Sequence, residues 1–205
     1  MNEFTESAAM VVAAFLLGSI PFGLLISKLY GINDLREQGS GNIGATNVSR
    51  VVGFWPAGFL TFFLDALKGI LILLPLRYRW IPEGTLPAST LLLWTLGLSA
   101  VVGHCFSPWL HFKGGKGVAT TFGVIFALAP LSGVVGGIVF GLAAFATQVG
   151  AAGSLLGLLA AIAVYRLFYP FEPSMLIFAL MVYLAIFRHE ENLDSLLKED
   201  ARESA

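Results

Sequence analysis

An all-α integral membrane protein of about seven transmembrane helices, N-terminus outside and C-terminus cytoplasmic, is what three features of this sequence predict. Of 205 residues, 57% are hydrophobic and only 12% charged, about half the charged fraction of an ordinary soluble domain. The apolar residues fall in runs near the roughly 20 needed to cross a bilayer. The positive charges sort to one side of those runs. A mean hydropathy of +0.81 agrees, and so little charge with so much apolar surface excludes a disordered chain. A net charge of −1 excludes a nucleic-acid binder that works through bulk positive charge. Cys105 is the lone cysteine, so an intrachain disulfide is impossible.

The first span is read over 7–30. Glu3 and Glu6 precede it, where a secretory signal would begin with positive charge, so the segment reads as a retained span. A polar stretch over 31–52 follows. The second span, 53–76, carries Asp65 and Lys68 inside it. The third, 88–110, leads into a compact basic loop over 111–117. The block 118–147 is too long for one upright span, and Pro130 near its middle divides it, because proline lacks a donor and breaks helices. The sixth span is 151–168. Pro170 and Pro173 mark a turn before the seventh, 174–187. The chain is a single transmembrane domain, 1–205, ending in a charged tail, 188–205. Among 23 glycines, those at 133, 136, 137 and 141 read as helix-packing positions.

Orientation follows from positive charge. One side collects Lys28, Arg36, Arg50, Lys113, Lys116, Arg188, Lys198 and Arg202; the other has Arg77, Arg79 and Arg166. Eight against three puts the polar stretch, the basic loop, the turn near Gly150 and the tail on the cytoplasmic face. Five spans would keep both termini in place and change only the assignments between them.

Two loops on that face suit phosphate. The first, Gly39 to Arg50, combines three glycines with Ser40, Asn42, Thr46 and Asn47. Closely spaced glycines let backbone N–H groups curl around an anion, and the Arg50 guanidinium fork matches phosphate oxygens. A bare linker would not need that set together. It is not a Walker loop, which requires Gly-Lys-Ser/Thr at fixed spacing. The second loop, Lys113-Gly114-Gly115-Lys116-Gly117, opens a helix whose first amides favour an anion. A simple positive anchor would not need the glycines. Asp65 and Lys68 share a helix face at i, i+3, and charges at such depth mark a site or an internal pair. His104 closes the third span, and His189 opens the tail with Asn192 a helical turn on. His189 and Asp194 match a His-x4-Asp spacing, but residues five apart on a helix point about 140° away from each other. No zinc-type ligand cluster and no Gly-x-Ser-x-Gly elbow occurs.

These segments together resemble a known family. Gly18-Ser19-Ile20-Pro21-Phe22-Gly23, the run Gly39 to Asn47, Asp65-Ala66-Leu67-Lys68-Gly69, Gly103-His104 with Phe112 to Thr120, and Arg188-His189 with Asn192 are similar to the bacterial acyl-phosphate:glycerol-3-phosphate acyltransferases. The similarity runs over nearly the whole chain. It implies a seven-helix protein of the bacterial inner membrane with a cytoplasm-facing site. It implies transfer of an acyl chain from acyl phosphate to the sn-1 hydroxyl of glycerol 3-phosphate, giving lysophosphatidic acid and phosphate. It implies no cofactor, no metal and no nucleic acid; the partners are the two substrates, membrane lipid and the soluble enzyme that makes acyl phosphate.

The resemblance assigns catalysis to Ser40, Lys116, His189 and Asn192. Substrate contacts are expected from Gly41, Asn42, Gly44, Thr46, Asn47 and Arg50 in the first loop. Lys68 and His104 are expected to join them, with Lys113, Gly114 and Gly115 in the second loop. Lys113 or Lys116 is expected to neutralise the second phosphate. The family's paired serines after the fifth helix are reduced here to Ser154. Acyl phosphate is already activated, so no covalent intermediate is needed. The base is His189 or a substrate phosphate oxygen. The rival class is a transporter of a phosphorylated solute, whose broken helices and buried charges would look alike, but no internal repeat supports it.

Overall fold

The computed structural model describes residues 3–77 and 89–189. They form ten α-helices, three short 3-10 or π segments and no strand among the described residues: α1 Glu3–Gly18, α2 Phe22–Leu29, α3 Ala45–Val51, α4 Phe59–Leu71, α5 Leu74–Arg77, α6 Thr90–Cys105, α7 Val118–Leu128, α8 Pro130–Thr147, α9 Gly150–Phe168 and α10 Ser174–Phe187. Five segments are long and apolar enough to cross a membrane: Glu3–Leu29, Phe54–Arg77, Thr90–Leu110, Pro130–Thr147 and Gly150–Phe168. Val118–Leu128 and Ser174–Phe187 are shorter apolar helices. The seven predicted apolar segments are all present as helices. Pro130 divides the long block as expected, standing at the first helical position of α8, where its missing N–H is harmless.

The first segment departs from the sequence reading. It is two helices, because Ser19, Ile20 and Pro21 interrupt it. Proline disfavours helical geometry in the residue before it, and continuous apolar composition hid that signal. The break leaves backbone carbonyls open to partners from elsewhere. Ser107 Oγ donates to Ser19 O (2.8 Å), and Trp109 Nε1 donates to Ser19 Oγ (2.8 Å).

Three helix pairs form the frame: α1 with α6, α4 with α7, and α8 with α9. Each pair meets at reciprocal glycines. A Cβ at Gly18 would run into Ala100 O, and one at Gly103 into Phe15 O. Gly69 and Gly123 stand in the same relation to Thr120 and Ala66, and Gly136 and Gly157 to each other's carbonyls at 2.7 Å. In lipid, helices gain little from burying apolar surface against each other, so close backbone approach supplies the packing. Gly133 also packs, against Phe126, but Gly137 and Gly141 meet nothing within 4 Å. Those two therefore do not pack helices within the chain, contrary to expectation.

The main core gathers around Trp94, Tyr165 and Phe178, whose rings stack or meet edge-on at 5.3–5.5 Å. A smaller core of Leu24, Ile26, Leu35, Ile43, Val48, Ala57 and Leu110 lies under the first glycine loop and holds it down. Large apolar side chains such as Phe63, Ile138, Leu142 and Tyr183 are exposed on the outer helix faces, as lipid solvation requires. The first glycine loop with α3, the start of α7, the α8–α9 turn and His189 just past α10 meet around one cavity at one end of the bundle.

Candidate active site

A cavity of about 300 Å³ opens at that end. Three helices aim their N-termini into it. α3 begins at Gly44, α7 at Gly117 and α9 at Val149, and in none of the three does a side chain cap the first-turn amides. Residues of each first turn line the cavity: Ala45 and Thr46, Val118 and Ala119, Gly150 and Ala151. Uncapped helix N-termini present N–H groups and positive partial charge to an anion. Arg50 and Lys116 line the same space. Positive potential therefore converges on the cavity from several directions.

The first glycine loop is held by one side chain. Asn47 is buried. Its Oδ1 accepts from Ser40 N (2.8 Å), and its Nδ2 donates to Gln38 O (3.0 Å), Asn42 O (2.8 Å) and, more weakly, Leu35 O (3.4 Å). Gly39 sits at φ 60°, and a Cβ there would strike Asn47 Oδ1. Asn42 Oδ1 in turn accepts from Gly44 N (2.9 Å). Asn47 therefore shapes the loop, and its amide is not available to hold phosphate as the sequence suggested. Ser40, Asn42, Gly44, Thr46 and Arg50 stay on the cavity wall; Gly41 lies off it, at φ 70° in the preceding turn.

The second loop also differs from expectation. Gly114 N donates to Cys105 O and Gly115 N to His104 O, both at 3.0 Å, so these amides are engaged and cannot cradle phosphate. The glycines serve close packing instead: a Cβ on Gly114 would strike His104 O, and one on Gly115 would strike His104 Nε2. Arg188 braces the loop from the end of α10, donating from Nη2 to Gly114 O (2.9 Å) and from Nε to Gly115 O (3.3 Å). Lys116 faces the cavity, whereas Lys113 is exposed and off its wall.

Lys68 lies inside the protein. It is 1% exposed, and its Nζ lies 2.9 Å from Ile20 O, 2.8 Å from Asp65 Oδ1 and 3.0 Å from His104 Nδ1. Its ammonium thus donates to Ile20 O, meets the His104 ring and pairs electrostatically with Asp65. His104 and Asp65 reach the cavity wall, as do Ser154 and His189. Ser154 Oγ donates to Gly150 O (2.8 Å), which leaves it an acceptor. Asn192 lies outside the described residues.

His189, 3% exposed, lies 2.7 Å from Ala185 O through Nδ1. A carbonyl only accepts, so the proton sits on Nδ1 and the lone pair on Nε2. Burial, reinforced by the nearby charge of Lys116 and opposed by the Ala185 hydrogen bond, holds its pKa down at about 4. A lowered folded-state value means that the unfolded chain binds the proton first as pH falls below about 6.5. Stability from this group is lost as pH falls from there toward 4, and the native imidazole stays neutral meanwhile. Any step using its lone pair should persist to about pH 5. A pH–rate profile with an acid limb at 6.5 that moves in His189→Gln would contradict this.

The chain matches the family model described as glycerol-3-phosphate acyltransferase over residues 8–199. It belongs to the glycerol-3-phosphate acyltransferase family. A relative of that name from Trichlorobacter lovleyi is 43% identical over 195 residues, covering 94% of this chain and 95% of the relative. One from Sulfurimonas denitrificans is 38% identical over 205 residues, covering 97% of each. Two crystal structures of PlsY (YgiH), an integral membrane glycerol 3-phosphate acyltransferase, are also similar. The glycerol 3-phosphate form superposes with TM-score 0.83 at 36% identity, covering 94% of this chain and 92% of that one. The lysophosphatidic acid form gives 0.82 at 35% with the same coverage. This member of the acyltransferase family is thus an all-helical membrane protein.

Sequence reasoning about this acyltransferase-family chain missed part of the wall. Phe62 and Phe140 line the cavity and stack at 6.3 Å; aromatic residues inside apolar spans carry no distinguishing signal. Gln148, at φ 57°, and Val149 form the α8–α9 turn on the wall, where a lone polar residue between spans was the available hint. The turn meets the first loop directly, since a Cβ on Gly150 would lie 2.8 Å from Thr46 Cγ2.

Proposed function

We propose that the protein transfers an acyl group from acyl phosphate to the sn-1 hydroxyl of glycerol 3-phosphate. The convergence of three uncapped helix N-termini with Arg50 and Lys116 on one cavity carries this reading. Both substrates bear a phosphate, and both products do. The hydroxyl oxygen attacks the acyl carbonyl carbon, the carbon–oxygen bond to the phosphate breaks, and inorganic phosphate leaves with the electron pair. The hydroxyl proton passes to His189 Nε2, whose lone pair is set by the Ala185 hydrogen bond. Asn192, three positions further on in the sequence, orients the glycerol. Arg50, Ser40 and the start of α3 hold one phosphate; Lys116 and the start of α7 hold the other and stabilise charge as the leaving group departs.

The positive charges of the site-side loops orient this end toward the cytoplasm, in a bacterial inner membrane. N-terminus outside and seven crossings complete that topology. A soluble enzyme supplies the acyl phosphate. The test is phosphate release from acyl phosphate and glycerol 3-phosphate by purified protein in detergent, with acyl-CoA as the rival donor. Lys116→Ala and Ser40→Ala should each cost roughly 10²–10³ in turnover. Near-wild-type rates in both, or activity only with the thioester, would overturn the proposal.

A further inference from the structure

His104 and His189 line one cavity, and their surroundings fix them in opposite tautomers. His189 has its lone pair on Nε2, as derived above. For His104 the contact is with Lys68 Nζ at 3.0 Å, and an ammonium can only donate. The lone pair of His104 is therefore on Nδ1 and its hydrogen on Nε2. Lys68 is held in place by Ile20 O, which accepts from its Nζ at 2.9 Å, and by the ion pair with Asp65 Oδ1 at 2.8 Å. Asp65 Oδ1 is 3.6 Å from the same ring nitrogen, too far for a hydrogen bond. Nε2 has no hydrogen-bond partner among the described residues, and it abuts Gly115 at the neck of the second loop.

We propose that His104 is a fixed neutral N–H donor to a substrate phosphate oxygen, and that Lys68 and Asp65 are positioning residues that set its tautomer. This rests on the acyltransferase reading for the identity of the phosphate and on geometry alone for the tautomer. The arrangement uses a carbonyl freed by the break between α1 and α2, so the helix break, the buried ion pair and the imidazole form one relay. It also changes the role of Lys68, which acts through His104 and does not touch substrate.

Two measurements test it. Solid-state NMR of the full chain in lipid, with ring-¹⁵N histidine and His189→Gln and His111→Gln variants for assignment, reads the tautomers directly. His104 should carry its hydrogen on Nε2. In Asp65→Leu/Lys68→Met, which removes both charges together, that preference should be lost. A hydrogen on Nδ1 in the unaltered protein, or an unchanged tautomer in the double variant, overturns the proposal. The second measurement is KM for each substrate separately. His104→Gln places an amide N–H near Nε2 and should stay within about threefold of the parent. His104→Phe should raise KM for one substrate by about 10–100-fold, the value of a hydrogen bond to a charged group, and that substrate identifies the phosphate. Unchanged KM for both in His104→Phe overturns the donor role. A protein inactive toward glycerol 3-phosphate would overturn the acyltransferase reading instead, and the NMR result would still decide the tautomer.

Discussion

Gly115→Ala is expected to lower turnover by about 100-fold or more while the helix bundle stays folded. A Cβ at 115 lands on His104 Nε2. The ring cannot retreat, since its other nitrogen is held by Lys68 and Lys68 is held by Ile20 O and Asp65. The loop cannot retreat either, because Arg188 grips the carbonyls of Gly114 and Gly115. Something must shift by a good part of an ångström, and a misplacement of about 1 Å can cost about 10² in rate. Gly137→Ala is the matched control: it meets nothing within 4 Å and replaces glycine in a helix, so it should be neutral or slightly stabilising. Phosphate-release rates and detergent unfolding midpoints for the pair decide the matter. Equal rates would mean that the loop is soft and the His104 position unimportant.

Lys68→Met alone should destabilise the protein by about 3–5 kcal/mol, the cost of leaving a buried charge without its partner. Asp65 is 2% exposed. Asp65→Leu/Lys68→Met removes both charges and should recover most of that loss, although Ile20 O then lacks its donor. The order of unfolding midpoints should be parent, double variant, single variant. A single variant as stable as the parent would show that Asp65 finds another partner, and the network described here would be wrong.

The fold was largely readable because its signals are local. A run of apolar residues, a proline at 130 and charged loops each act within a few residues, and all seven segments followed from them. The break at Ser19–Pro21 carried a local signal too, but hydropathy averaged over a span cannot register it. The site was readable as a set of residues and not as a set of bonds. Ser40, Arg50, Lys116, His104 and His189 came together as expected on one wall. The contacts of Asn47, Lys68, Gly114 and Gly115 were not readable, because each is decided by distant partners. Lys68 meets a carbonyl 48 positions away and an imidazole 36 positions away. Short-range spacing told that Asp65 and Lys68 share a helix face and could not tell that a third and fourth group complete the set. Likewise, glycines in a loop permit amides to face an anion, but whether they do depends on which carbonyls the register brings near.

Arg188 reaches back 73 and 74 positions to brace the second glycine loop. Ribosomes deliver a chain from its first residue onward, so this loop emerges well before the arginine that steadies it. A nascent product stalled anywhere short of α10 would hold most of the helices and lack the brace on this loop. The loop's packing is therefore complete only once the last of the described helices has been made.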